Sequence, residues 1–338
     1  MTSNAPLQIA VLGAGDWGST LALIAAGNGH HVGVWARSEA RCTALERRAA
    51  QSPLLLGPER TGGSLHATLH PEPLLESADL VLMAVPSPAF REACRGLRAA
   101  LEPRHLLIHG TKGLEVGSLK RMSEVLLEET CVRQFGALSG PNIAPELAQG
   151  KPAGSLIASP FPRVVELGKR ALSCRFFMLF HGPDLLGLEL CGALKNVVAI
   201  AAGMADAMQV GENAKALLIT RGAAEIRRLA ESMGAQPNTI TGLAGIGDLM
   251  VTCASPHSRN RRLGAALARG ESMENAQAQL GMVAEGVYAA KAIMVLSQRK
   301  ELRLPLLQSI ARVLYDGVAP QRALDALMRM PAGHEGAG

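Results

Sequence analysis

The chain has 338 residues, 48% of them hydrophobic and 19% charged, which fits two globular domains and excludes a disordered chain. Aromatic residues reach only 3%, too few to stack nucleic-acid bases, so Ala, Leu and Gly must do most of the packing. A net charge of +5 with no long Lys/Arg run points to anionic small molecules rather than to nucleic acid. The six cysteines (Cys42, Cys94, Cys131, Cys174, Cys191, Cys253) form no CxxC pair and no Cys/His cluster, so no metal site is expected. They read as small core residues in a reducing compartment. The opening MTSNAP lacks the basic start of a signal peptide, and the apolar run at 21–26 is too short to cross a bilayer. A cytoplasmic protein without membrane insertion is expected.

Leu7–Leu12 is a short, nearly unbroken apolar run, the pattern of a buried parallel strand. GAGDWG (13–18) follows at once, then a helical stretch that Gly29 stops, then a second strand at His31–Trp35. A lone GxGxxG is weak, but strand, glycines, helix and strand within about 30 residues define a dinucleotide-binding, Rossmann-type unit. In it, Gly13 allows the tight turn, Gly15 lets the backbone approach a pyrophosphate, and Gly18 lets helix and strand pack closely. The helix N-terminus supplies unpaired N–H groups and a positive dipole end. Arg37 stands after the second strand, where NAD-preferring proteins carry an acid; it suits a 2′-phosphate, so NADPH is favoured and NADH is the alternative.

The strand–helix rhythm continues through 78–85, 105–109, 134–138, 153–159 and 175–181. Lys112 lies just past one strand end and the Ser139–Asn142 turn past another, positions where open α/β sheets bind ligands. Without further context Lys112 is better read as a solvated loop lysine. His181–Asp184 is a turn, with Asp184 placed to cap the next helix. The expected layout is a nucleotide-binding domain at 1–187 and an all-helical substrate domain at 188–338.

Residues 187–208, GLELCGALKNVVAIAAGMADAM, read as a helix apolar on every face, hence buried, with Lys195 at its middle. Burial disfavours the charged form of a lysine and makes Lys195 a candidate acid/base; a lysine snorkelling to water is the bland alternative. Further helices are expected at 214–233, 258–270, 282–299 and 305–316, with a Gly-rich turn at 242–248 and a loose tail from 330. Asp248 reads as a cap after that turn, as a partner for a charge, or as both. Arg261 and Arg262 read as a solvated basic helix face.

Six short motifs stand in order: GAGDWG (13–18), TKG (111–113), SGPN (139–142), GALKN (192–196), GLAGIGDL (242–249) and SRNRRLG (258–264). Together they resemble the NAD(P)-dependent glycerol-3-phosphate dehydrogenases of the soluble bacterial biosynthetic type, over about 7–328. The resemblance implies cofactor contacts by Asp16, Trp17, Arg37, Lys112, Ala144, Arg259, Val283 and Glu285, besides the loop glycines. It implies substrate contacts by Lys112, Gly140, Asn142, Asp248, Ser258, Arg259 and Asn260, and makes Lys195 the proton donor and acceptor. Two residues depart from common family patterns: Asn142 in SGPNIAPEL, and Asp16, whose carboxylate would be repelled by a pyrophosphate, so that only its backbone N–H is expected to take part.

The implied reaction is reduction of dihydroxyacetone phosphate to sn-glycerol 3-phosphate for phospholipid synthesis. Hydride addition at C2 builds negative charge on the carbonyl oxygen, which a pre-placed ammonium stabilises and then protonates. Asp248 would hold that ammonium in line. Ser258, as a helix cap, and the Arg259 fork would grip the phosphate. Two rivals stand against this reading: another two-domain dehydrogenase for a 3-hydroxy acid or 6-phosphogluconate, and a non-catalytic dinucleotide sensor. Oligomeric state is left open, a homodimer included.

Overall fold

Apolar runs in the first half become eight strands: β1 (Gln8–Leu12), β2 (His31–Trp35), β3 (Ser64–Thr68), β4 (Leu80–Met83), β5 (Leu106–His109), β6 (Gln134–Ser139), β7 (Ala153–Ala158) and β8 (Phe177–Gly182). The computed structural model describes residues 5–56, 62–280 and 284–329. They divide into two units, Met1–Thr111 with Lys120–Leu185, and Lys112–Leu119 with Leu186–Gly338.

In the first unit the strands form one sheet in the order β3-β2-β1-β4-β5-β6-β7-β8. Pairing is parallel from β3 across to β6, antiparallel between β6 and β7, and parallel between β7 and β8. The chain runs outward from β1 to β2 and β3, then returns to β4 on the other side, so the strand order switches between β1 and β4. Ligands bind outside the carboxyl ends of strands at such a switch point. β4 and β5 are buried along their whole length, which is why they read as continuous rather than alternating apolar runs.

The connections are α1 (Asp16–Gly27), α2 (Glu39–Ala50), α3 (Pro53–Leu56), α4 (Glu72–Ser77), α5 (Ser87–Leu97), α6 (Met122–Glu129), α7 (Ala144–Leu147) and α8 (Pro162–Leu172). They cover both sheet faces. Val11, Ile24, Leu82, Ile108 and Val164 pack on one side, and Leu12, Met83, Phe90, Leu107 and Val125 on the other. Every strand read from the sequence is present, most with trimmed ends. β3 is an addition: Ser64, His66 and Thr68 give it no apolar signature, and it is held by pairing with β2.

The second unit is helical: α9 (Leu185–Ala207), α10 (Glu212–Ser232), α11 (Pro237–Thr241), α12 (Asp248–Ala254), α13 (Arg259–Ala268), α14 (Met273–Leu280), α15 (Glu285–Arg299), α16 (Pro305–Tyr315) and α17 (Pro320–Met328). α9 is the axis, buried without a break from Gly187 to Ala205. It is long and apolar enough to cross a membrane, but 89% of its most apolar window is buried inside the protein. Small residues let neighbours approach closely. A Cβ at Gly264 of α13 would stand 1.9 Å from the Ile200 carbonyl oxygen, and one at Gly203 of α9 would stand 1.9 Å from that of Arg261. The tail expected from 330 lies outside the described residues.

Candidate active site

The glycine loop joins β1 to α1 beside the end of β4. Gly13 has φ +117°, a conformation that side chains other than glycine rarely adopt, and a Cβ there would meet the Ala84 carbonyl oxygen at 2.7 Å. A Cβ at Gly18 would overlap the Gly13 carbonyl oxygen at 1.9 Å, so helix and turn can close only without it. Gly15 is different: a Cβ there would meet nothing within 4 Å. Its side is open space, as a pyrophosphate cradle at a helix N-terminus requires.

The Trp17 indole N–H is buried against Gly110 and has no hydrogen-bond partner among the described residues. An orphaned buried donor beside an open cradle is the environment that a polar ligand satisfies. Asp16 opens α1 with an exposed side chain whose carboxylate lies 3.7 Å from the Arg48 guanidinium. Arg37 is exposed directly after β2, following buried Ala36. A dinucleotide therefore fits these residues.

Gly140 follows β6, where a Cβ would meet the Ser155 Cα at 2.9 Å. The Asn142 carboxamide is turned onto β7, donating to the Gly154 carbonyl at 3.3 Å and accepting from the Ser155 hydroxyl at 2.9 Å. One of its two amide hydrogens remains for another acceptor. Ala144 opens α7 and its carbonyl accepts a 3.4 Å bond from the Thr20 hydroxyl of α1.

In the second unit the charged side chains converge. Lys195 Nζ lies 2.7 Å from Asp248 Oδ1, and Lys112 Nζ lies 2.7 Å from Asp248 Oδ2. Lys112 is thus not a solvated loop lysine: the segment Lys112–Leu119 packs with the helical unit, and its Leu114 belongs to that unit's core. Lys195 also donates to the Thr252 hydroxyl at 2.5 Å, and that hydroxyl donates to the Asp248 carbonyl at 2.6 Å. Lys195 does not snorkel: it is 5% exposed, and Asp248 1%.

A single π-helical turn, Leu243–Gly247, delivers Asp248 to this position. A Cβ at Gly245 would stand 1.8 Å from the Ile240 carbonyl oxygen, so the turn depends on glycine. Asp248 starts α12 without acting as its cap; the cap position is Gly247.

Burial pushes the Lys195 ammonium down to about 8, against the opposing pull of the Asp248 carboxylate. A cavity of about 10 Å³ beside it, bounded by Cys191, Ile226, Ile240 and Leu249, is no larger than one water needs. Burial alone would raise the Asp248 carboxyl, but Lys112 and Lys195 together hold it below the usual range. The result is a buried carboxylate shared by two ammoniums.

Ser258 caps α13, its hydroxyl accepting from the Arg261 N–H at 3.3 Å. Arg259 is exposed at the first position of that helix. Asn260 turns inward, donating to Asn196 Oδ1 and accepting from the Gly286 N–H, both at 2.9 Å. It ties α9, α13 and the start of α15 together. The solvated basic face expected there holds for Arg262, which is exposed, but not for Arg261. Arg261 reaches Asp206 at 2.6 Å, and Lys215 joins the same carboxylate at 2.7 Å. Glu285 opens α15 one residue before Gly286, and Val283 lies outside the described residues. Asn196 and Thr252, unassigned from the sequence, both belong to this neighbourhood. Asn196 is adjacent to Lys195, and Thr252 lies one helical turn past Asp248 on the same face, a spacing that could have flagged it.

A doubly wound sheet with a glycine loop at its switch point, followed by helices holding a buried lysine–carboxylate pair, is the build of a two-domain nicotinamide-dependent dehydrogenase. Family models for the N-terminus and C-terminus of NAD-dependent glycerol-3-phosphate dehydrogenase match residues 8–164 and 184–325. The chain is 40% identical over 331 residues to glycerol-3-phosphate dehydrogenase (NAD(P)+) of Desulfitobacterium hafniense, covering 97% of this chain and 93% of that protein. It is 39% identical to the same enzyme of Pelodictyon phaeoclathratiforme, covering 95% and 97%. The crystal structure of glycerol-3-phosphate dehydrogenase from Coxiella burnetii superposes with a TM-score of 0.88 at 34% identity, covering 96% of this chain and 99% of that one. The chain belongs to the NAD-dependent glycerol-3-phosphate dehydrogenase family, a family of oxidoreductases.

Proposed function

We propose that this protein reduces dihydroxyacetone phosphate to sn-glycerol 3-phosphate, and catalyses the reverse, with Lys195 as proton donor and acceptor. The observation that carries this role is the buried Lys195–Asp248 pair with Thr252 as a second acceptor. Residues 1–187, apart from the segment Lys112–Leu119, serve as the NAD(P)-binding domain, and 188–338 with that segment as the substrate domain. Gly13, Gly15, Gly18, Trp17 and the backbone of Asp16 hold the cofactor, with Arg37 on a 2′-phosphate, so that NADPH is preferred. The family resemblance assigns cofactor contacts to Ala144, Val283 and Glu285 as well.

When bound, the nicotinamide supplies the hydride. The Lys195 ammonium then stabilises the oxygen at C2 as charge grows on it, and delivers its proton there. Asp248 fixes the direction of that ammonium, and Thr252 takes a second of its three hydrogens, so the third is aimed rather than free to rotate. Lys112, sharing Asp248, adds positive charge. Arg259 and the capped N-terminus of α13 grip the phosphate, and Gly140, Asn142 and Asn260 line the substrate. The protein works in the cytoplasm and supplies the phospholipid backbone.

The test is loss of nicotinamide absorbance on mixing protein with dihydroxyacetone phosphate, run in parallel with NADPH and NADH. Turnover with both is expected, faster with NADPH, and Lys195→Ala should abolish it while cofactor binding survives. Turnover favouring NADH would remove Arg37 from the 2′-phosphate. An active Lys195→Ala would remove the lysine from the chemistry.

A further inference from the structure

Asp16 places a carboxylate at the first position of α1, directly after Gly15. A helix N-terminus favours an anion, whether side chain or phosphate, through its unpaired N–H groups and its positive dipole end. Here the two claims coincide, because the loop that carries Asp16 is the one read above as the pyrophosphate cradle. The Asp16 side chain is 91% exposed, so no buried partner neutralises it. Like charges a few ångströms apart repel strongly even near a protein surface. To bind a dinucleotide there, the chain must offset that repulsion.

Arg48, in the last turn of α2, reaches this turn of α1. One of its terminal nitrogens donates to the Thr20 hydroxyl at 2.9 Å, and the other lies 3.7 Å from Asp16 Oδ1. The same hydroxyl donates to the Asp16 carbonyl at 2.7 Å, which fixes the guanidinium against the first turn of α1. Arg47 beside it in sequence is exposed, whereas the Arg48 side chain is only 29% exposed. A staple between two helices would give this guanidinium a carboxylate at hydrogen-bonding distance. Its one oriented bond goes instead to a neutral hydroxyl, and a 3.7 Å contact with an exposed carboxylate contributes little to the fold. A guanidinium has five N–H donors, and among the described residues Arg48 uses one of them in a hydrogen bond. Positive charge beside the positive end of α1 opposes the helix dipole, an arrangement that becomes favourable when an anion shares the space.

We propose that Arg48 is a determinant of cofactor affinity: it offsets the Asp16 carboxylate and lends its charge to the pyrophosphate of the dinucleotide. This inference rests on the glycine-loop reading above and adds a residue of α2 to it. Held at Thr20, one turn into α1, Arg48 acts on the part that NADH and NADPH have in common. Arg37, directly after β2, acts on the 2′-phosphate alone. The two arginines therefore divide the work: Arg37 selects between the nucleotides, and Arg48 holds either one. The departure at Asp16 also gains a reason, since an acid in the loop is tolerable while Arg48 stands beside it.

Titration calorimetry of the purified full chain with NADPH and with NADH tests this without turnover. Arg48→Met keeps the aliphatic stem and removes the charge; it should raise Kd about tenfold for both nucleotides alike, the size of one charge-assisted contact. Arg37→Gln should raise it for NADPH only. Adding Asp16→Ser to Arg48→Met should restore most of the lost affinity, because the uncompensated acid is then gone; a helix staple would show no such rescue. Gly15→Val, whose Cβ enters open space, should abolish binding of both nucleotides. Unchanged affinity in Arg48→Met, with Gly15→Val unable to bind, overturns the inference and leaves the cradle standing. A loss confined to NADPH overturns it as well and moves Arg48 to the 2′-phosphate. An equal loss that Asp16→Ser does not relieve overturns the offset of Asp16. Full binding by Gly15→Val overturns the cradle, and this inference with it.

Discussion

A lysine enclosed by Cys191, Ile240 and Leu249 would lose much of its hold on a proton were Asp248 not beside it. Burial outweighs the pull of the carboxylate and leaves Lys195 at about 8, close to working pH, where a group can both give and take a proton. The sign of the pH dependence follows. Reduction of the ketone needs the ammonium, so kcat/KM for dihydroxyacetone phosphate should be level below about 8 and fall tenfold per pH unit above it. Oxidation of sn-glycerol 3-phosphate needs the neutral amine and should show the mirror profile, rising to a plateau above the same point. Profiles that bend in the same direction for both reactions would remove Lys195 as the shared acid and base. Thr252 holds the same ammonium at 2.5 Å without carrying charge. Thr252→Val keeps the shape and deletes the acceptor, so kcat should fall about tenfold, the cost of roughly one hydrogen bond, with KM for the cofactor unchanged. A variant with unchanged kcat would make Thr252 a packing residue only.

The small residues of α9 set how near its neighbours come, and that nearness positions the site. α13 crosses α9 where Gly203 meets the Arg261 backbone and Gly264 meets the Ile200 backbone, and the same pair of helices carries Lys195, Asn196, Ser258, Arg259 and Asn260. Backbone cannot retreat as a flexible side chain can. Gly203→Ala should therefore cost about 1–3 kcal/mol or more and lower Tm by several degrees, readable by calorimetry. An unchanged Tm would mean that the helices separate without penalty. Much of this was legible beforehand, because chain-local signals carry it. The glycine loop, the apolar strands, the all-round apolar helix and the Ser258 cap each announce themselves within a few residues. What the sequence hid depends on partners far along the chain. β3 is a strand only because β2 lies beside it. The π-turn before Asp248 looks like any Gly-rich loop until Gly245 is seen against Ile240. The inward turn of Asn260 and the Arg261–Asp206 pair answer to side chains more than 50 positions away. Nothing in residues 112–119 signals that they pack with helices beginning some 70 residues later.

At the scale of the whole chain, an excess of five positive charges meets a phosphate-bearing cofactor and a phosphate-bearing substrate. Exposed cations such as Arg37, Arg259 and Arg262 act through solvent, where the screening length shrinks from about 10 Å at 0.1 M salt to about 3 Å at 1 M. The buried pair acts differently: Lys195 and Asp248 are in direct contact and almost fully buried, where mobile ions screen far less. Salt should therefore separate capture from chemistry. Raising sodium chloride from 0.1 to 1 M should raise KM for dihydroxyacetone phosphate and for NADPH several-fold, through weaker attraction of the anions, while kcat changes less than about twofold. Steady-state kinetics across that series reads both at once. A KM that stays flat would mean that the surplus charge plays no part in gathering the ligands. A kcat that collapses alongside KM would mean that the lysine–carboxylate pair is open to solvent ions, against the enclosure on which its proposed acid–base role depends.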